Sequence, residues 1–364
     1  MKKIWYLMRC LFGKNSGGFF EKVKIISKEI KRNKLLIALD MLLSVLCYGA
    51  DFNDYYLFDF YKMNAQQRKT FMTRQKYERF VKEMNDEAAA VNFDDKSIFC
   101  EKFGKRVGRD YTMITEENRE QIFSLLRRFQ NVRVTPVLQK QIKSRFKEEK
   151  ILGKNYENHG DMLNKICMCQ PGVVEPVYRE HENLKKLNKE SANTVRIFTI
   201  NKDDKVEVLY AFLHMEGRLE TSRDIKVNDI FIPISLTSGK LERSGCDKEK
   251  NVYERCPGSI KEFSETQVPY WSDVMKIARR AASRVPQIGY AEWEIIVAEK
   301  KPVLSKGSCR PIHDIFQMPV HVPDREGAWA KIDRAFEDDG TQEYKVEMKR
   351  EFKREMPQRR RNSA

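Results

Sequence analysis

The stretch Gly289–Cys309, GYAEWEIIVAEKKPVLSKGSC, decides how the chain is read. Glu292-Trp293-Glu294-Ile295-Ile296-Val297-Ala298 is rich in β-branched and apolar residues. Glu299-Lys300-Lys301 makes a turn, and Pro302-Val303-Leu304-Ser305 returns. The pattern predicts a β-hairpin. Pro302 suits the start of its arm, because a proline there need not donate to the ladder. Glu294 opens the first arm, and Lys306, Gly307 and Ser308 close the second. In an antiparallel pair these ends lie side by side and their side chains share one site. With Glu at 306 and Asn at 308 the ends would make a strong magnesium site, since oxygen ligands suit a hard cation. An ammonium stands there instead.

Outward from the hairpin, strands dominate the C-terminal half. Thr194 to Ile200 alternates, Lys205 to His214 is apolar on one face, and Ile230 to Leu236 leads into a Thr237-Ser238-Gly239-Lys240 turn. An amphipathic helix over 272–283 follows Val268-Pro269-Tyr270-Trp271. Earlier, Asn131 to Val137 and Val173 to Tyr178 read as strands. Gln139 to Lys150 reads as a charged helix or loop. Helices are expected over the first fifty residues, over 65–83 with Asn64 as cap, after Asp95-Lys96, and from Thr115 to Phe129. Helices first, then strands with interspersed helices, argue α+β. The expected divisions are an N-terminal helical region (1–125), a mixed domain (126–335) and a charged helical tail (336–364).

The 364 residues suffice for two or three packed domains, and 41% hydrophobic with 33% charged excludes a largely disordered chain. The net charge of +15 favours an anionic partner. Nucleic acid, resting on charge alone, is the disfavoured one. Eight scattered cysteines include only one close pair, Cys167 and Cys169, which is poor zinc spacing. Reduced thiols in a cytosol are expected. No signal peptide is read at the N-terminus. Leu35 to Ala50 is the most apolar run, too short for a confident span. A buried helix is the first reading and a membrane-surface helix the second, because 22–34 is strongly basic.

Several segments together resemble the sugar-transfer-associated ATP-grasp proteins, over roughly 48–329. The residues that carry it are the aromatic run Tyr55 to Phe58, Arg68, Asp95-Lys96 with Phe99 and Phe103, and Glu175 to Leu184 with His181. Ser191, Asn193, Thr194 and Arg196 follow, then Val268 to Trp271, the hairpin, and Phe316-Gln317. The resemblance implies an ATP-grasp-like fold: two α+β subdomains with a nucleotide in a central cleft, preceded by a helical region. It implies ATP and magnesium as cofactors and ligase-type activation of a carboxylate as an acyl phosphate. It also implies roles. Arg196 and Asn193 would meet phosphates or substrate, Glu175 would lie near the nucleotide base, and Glu294 would hold the metal. Apart from the resemblance, Lys306 stands to neutralise phosphate in the metal's place beside Arg196, and Arg133 or Lys140 to bind nucleotide phosphate as a point charge.

The family pattern fails at three places. Thr135 stands where a lysine is expected, and Gln139 to Lys143 has no glycine to let backbone N–H groups reach phosphate. Lys306 and Ser308 replace both metal ligands at the hairpin end. The Asp-Asn and paired glycines after the second meander strand are blurred, with Arg223-Asp224 or Asn228-Asp229 as stand-ins. All the losses fall on one chemistry, so reduced or lost catalysis is expected, either in a weak ligase or in a nucleotide- or partner-binding pseudoenzyme. The expected setting is bacterial polysaccharide or sugar-transfer work, cytoplasmic and peripheral to the inner membrane face. The expected partners are a nucleotide or other anionic small molecule, a membrane surface and polysaccharide-pathway proteins.

Overall fold

The computed structural model describes residues 2–12, 18–104, 109–137, 148–189, 193–202, 205–220 and 225–337. The α+β class expected from the sequence is what it shows. Two compact units divide the chain, Met1–Arg79 with His313–Ala364, and Phe80–Ile312. The expected boundaries at 125/126 and 335/336 fall inside the helices Arg119–Arg128 and Ala328–Glu337. The rest of the expected tail, 338–364, lies outside the described residues.

The first unit is helical. Helices α1 (Lys2–Phe12), α2 (Phe19–Ile30) and α3 (Lys34–Tyr48) share a core of Tyr6, Val23, Ile26, Ile37, Met41 and Val45. Asn33 caps α3 by accepting from the Leu35 N–H. The aromatic run packs into the same core, with Phe52, Tyr55, Phe58, Phe60 and Tyr61 all buried. The helix expected over 65–83 is two helices, Ala65–Lys69, which Asn64 caps, and Arg74–Met84. The chain breaks between them because Phe71 and Met72 turn fully inward. The Gln317 amide holds that break: its Oε1 accepts from Met72 N at 2.7 Å and its Nε2 donates to Met72 O at 3.0 Å.

The second unit has two main sheets. Strands β1 (Thr112–Ile114), β2 (Asn131–Pro136), β3 (Glu149–Leu152) and β4 (Gly172–Pro176) form one in the order β1-β4-β2-β3. Its helices Arg119–Arg128 and His159–Cys167 pack against it through Ile122, Leu125, Met162 and Ile166. Thus the end of the expected charged helix or loop is strand β3, where Ile151 is buried opposite Val132. Residues 138–147 lie outside the described ones.

The larger sheet is antiparallel throughout. It contains β5 (Asn193–Lys202), β6 (Lys205–Met215), β9 (Ile230–Pro233), β10 (Gly245–Cys246), β11 (Val252–Tyr253), β12 (Tyr290–Val297) and β13 (Pro302–Ser308). The order is β11-β10-β9-β6-β5-β12-β13, and β7 (Arg218–Glu220) with β8 (Ile225–Val227) makes a separate ribbon. Helix Trp271–Ser283 covers one face, burying Val274, Ala278 and Ala281 over Val195, Ile197, Trp293 and Ile295. The expected hairpin is therefore β12–β13, with Val297 opposite Pro302.

Candidate functional site

Alternation along β12 puts Trp293, Ile295 and Val297 into the core and Glu292 and Glu294 on the opposite face. Trp293 fixes that orientation. Its indole N–H donates to Thr199 Oγ1 at 2.9 Å, and its ring packs on Phe93 and Phe103. Gly307 is required here: a Cβ would come within 2.8 Å of the Phe93 ring. On the polar face, Arg196 of β5 is the cross-strand neighbour of Glu294. Its guanidinium donates to Glu292 at 2.7 Å and lies 3.9 Å from Glu294. Lys306 is the neighbour of Glu294 on the other side.

A bulge makes that pairing. Counting outward from Val297–Pro302 would set Ser305 opposite Glu294, but the register shifts between Glu294 and Ile295 and brings Lys306 there. The bulge is held by Arg109, whose Nη1 donates to Leu304 O at 2.7 Å and to Ser305 O.

Arg109 also reaches the smaller sheet. Glu175 of β4 is completely buried and sits between Arg109 and Lys96, the latter at 3.0 Å. Burial opposes the carboxylate's charge, but Arg109 and then Lys96 outweigh it and hold its pKa below the ordinary range. Burial and then Arg109 push Lys96 down, and burial and then Glu175 push the Cys100 thiol up to about 12. One buried carboxylate, two cations and the β13 bulge thus tie the two sheets together. A second link runs through Glu148, which lies 3.4 Å from Arg133 of β2 and 4.0 Å from Lys306 of β13.

Beyond Arg196, the His214 ring stacks on Phe231 with centroids 4.7 Å apart, and the Arg196 guanidinium lies 5.8 Å from that same ring. His214 Nε2 is 3.2 Å from Asp229. Burial and then Arg196 lower the His214 pKa against the pull of Asp229, so the imidazole is neutral at pH 7. Asp229 also accepts from Gly217 N at 2.8 Å. Burial raises the Glu292 pKa in spite of Arg196.

The structure therefore brings Arg196, Lys306 and Glu294 together, with Arg133 joined to them through Glu148. Asn193 is buried and spends its amide on Leu184 O and Asn188 O at 3.1 and 3.4 Å. Glu175 faces Lys96 and Arg109. His181 caps the helix Glu182–Lys185. Lys140 and Arg223-Asp224 lie outside the described residues. Sequence reading missed Glu292, Arg109 and the role of Lys96. Glu292 had a signal, since it shares a strand face with Glu294 two residues on. Arg109 had none that set it apart from the neighbouring Lys105 and Arg106.

Magnesium does not fit this face. Arg196 pairs with Glu292 and lies 3.9 Å from Glu294, and Lys306, the cross-strand neighbour of Glu294, adds a second cation that repels a metal ion. No group of three His, Cys, Asp or Glu side chains suited to a metal occurs among the described residues.

Residues 157–323 match the family described as sugar-transfer associated ATP-grasp, so the resemblance read from the sequence holds over that stretch. Among solved structures, the ATP-grasp ligase PsnB with its minimal precursor is 12% identical, with a TM-score of 0.38 over 68% of this chain and 64% of that one. N5-carboxyaminoimidazole synthase from Aspergillus clavatus in complex with ADP is 9% identical, with a TM-score of 0.39 over 68% and 52%. D-alanyl-alanine synthetase A from Vibrio cholerae is 9% identical, with a TM-score of 0.37 over 64% and 61%. The chain thus spans less than two thirds of the length of each. No curated protein matches.

Proposed function

We propose that this chain is an ATP-grasp derivative in which ATP- and magnesium-dependent carboxylate ligation is reduced or lost, serving cell-envelope polysaccharide or sugar-transfer work in a bacterial cytoplasm. The observation that carries this reading is the β12 face. Arg196 lies between Glu292 and Glu294, and Lys306 sits opposite Glu294 on the next strand. Support for the ancestry comes from the family match over 157–323. A ligase of this type must bridge nucleotide phosphates with a divalent cation. A face that already carries an arginine and a lysine repels one.

A second reading has its own observation. Arg133 and Lys306, one from each sheet, both lie near Glu148, and two such cations suit a nucleotide or other anionic small molecule bound without metal. The protein would then be a binding scaffold for polysaccharide-assembly partners, peripheral to the inner membrane face.

Titration calorimetry with ATP, with and without magnesium, tests both. We expect no tightening of binding by magnesium in the native chain. Lys306→Glu with Ser308→Asn should introduce magnesium-dependent tightening. Tightening in the native chain would overturn the first reading. Absence of nucleotide binding under both conditions would overturn the second and leave partner capture as the next step.

A further inference from the structure

Helix α3 is apolar on two sides. Ile37, Met41 and Val45 point into the helical core. On the other side Leu35, Leu36, Leu39 and Leu43 are each 49–66% exposed, at a spacing that lines one stripe. The only acidic residue in α3, Asp40, is bound by both terminal nitrogens of Arg68, at 2.8 and 2.7 Å, and by the Tyr55 hydroxyl at 2.6 Å. The stripe therefore presents no free negative charge of its own.

The neighbouring helices continue the character. Trp5 and Met8 on α1 are 65% and 49% exposed, and Phe20 and Ile25 on α2 are 84% and 41% exposed. Eight of the thirteen exposed large apolar side chains among the described residues lie on these three helices. The α3 stripe itself marks an interaction surface, because single exposed apolar residues are ordinary and four leucines along one helix face are not. Basic side chains edge it. Lys24 and Lys28 on α2, Lys31 and Arg32 in the connection to α3, and Lys34 at the start of α3 are all exposed. Over residues 19–36 there are six basic and two acidic residues.

We infer that α1–α3 dock this protein on an anionic lipid surface, with the α3 leucines in the acyl boundary and the α2–α3 lysines at the headgroups. The charge argues for lipid over a second copy of the chain: two such faces would bring like charges together, whereas anionic headgroups complement them. No helix among the described residues is long and apolar enough to cross a membrane, so the contact is a surface one. An exposed Trp suits the same depth. This inference deepens the membrane-peripheral part of the proposed function. It needs no nucleotide, so its failure and that of the nucleotide reading are separate results.

The test is flotation of the full chain with vesicles of phosphatidylcholine alone and with added phosphatidylglycerol, at low and high salt. Binding is expected only to the anionic vesicles and should weaken with salt. Leu36→Glu with Leu39→Glu should weaken binding by about tenfold or more. Lys31→Gln with Arg32→Gln should weaken it by about fivefold per charge. Circular dichroism checks that these exposed substitutions leave the fold intact. Absence of binding to anionic vesicles, or binding that ignores the leucine pair, would overturn the inference. So would a dimer in sedimentation that the leucine pair dissolves, because the stripe would then be covered by another copy.

Discussion

Glu175 and Glu294 are both strand carboxylates set among cations, and burial gives them opposite behaviour. Glu175 and its partners Lys96 and Arg109 are at most 5% exposed, so every charge there depends on the others. Glu294 shares its face with Arg196, 21% exposed, and Lys306, 44% exposed, where water already solvates part of each charge. The first set is mechanical: it clamps the smaller sheet to the β13 bulge. The second set is partly solvated, so its charges depend less on one another. Charge beside a strand does not by itself identify a binding group; a charge open to a ligand must also reach solvent.

The largest test of this contrast is Glu175→Gln. The substitution keeps the shape but leaves Lys96 and Arg109 facing each other in the core. Removing one partner of a buried pair costs roughly 3–5 kcal/mol, and urea unfolding should show a loss of that size. A loss below about 1 kcal/mol would mean that water reaches the triad, a scale ordinary for exposed pairs. The contrast would then fail.

Arg196→Met is expected to have a smaller effect. Glu292 is buried and loses its charged donor, at a cost of about 1.5–3 kcal/mol. A double-mutant cycle with Glu292→Gln should recover most of that loss, since the stranded carboxylate is then neutral. Equal losses for the single and double variants would show that the contact of the guanidinium with the Phe231 ring matters more than the ion pair.

How much of this was legible in sequence follows the range of each interaction. The hairpin, the alternation of β5, the cap at Asn64 and the helix after Asp95-Lys96 are local patterns, and the structure has them. Arg196, Glu294 and Lys306 could be grouped because neighbouring strands place them together. Glu175 could not be understood, because its partners come from a helix start and a loop far earlier in the chain. The bulge was invisible too. It depends on Arg109 binding two carbonyls, and it decides that Lys306 rather than Ser305 meets Glu294. The break at Phe71-Met72 was hidden for the same reason, since Gln317 stabilises it from the other end of the chain.

Acid should separate the two regions. His214 has a folded pKa below its ordinary 6.5, so in that window the unfolded chain binds the proton and the folded one does not. Stability therefore falls as pH drops from about 6.5 toward the lowered value, by at most about 1.4 kcal/mol per pH unit. His214→Phe should flatten that part of the profile. Glu175, with its pKa held below the usual glutamate range, stays charged until stronger acid, and its stabilisation is lost as pH falls through that lower folded value. Urea midpoints measured across acid pH should show the His214 loss at higher pH and the Glu175 loss at lower pH. The reverse order would contradict the assignment of the two environments.

The smallest expected effect is the most useful one for function. Lys306 lies 4.0 Å from Glu148 with both groups well solvated, a geometry in which an ion pair contributes about 0–1 kcal/mol. Lys306→Ala should therefore leave the unfolding midpoint nearly unchanged while removing a cation from the face that an anion would meet. If nucleotide binding weakens and stability does not, the lysine is held for a ligand. If stability falls by more than about 1 kcal/mol, beyond the range of an exposed pair, Lys306 and Glu148 form a structural tie between the sheets. The open face would then resemble the buried triad, and the distinction between them would collapse to one of degree.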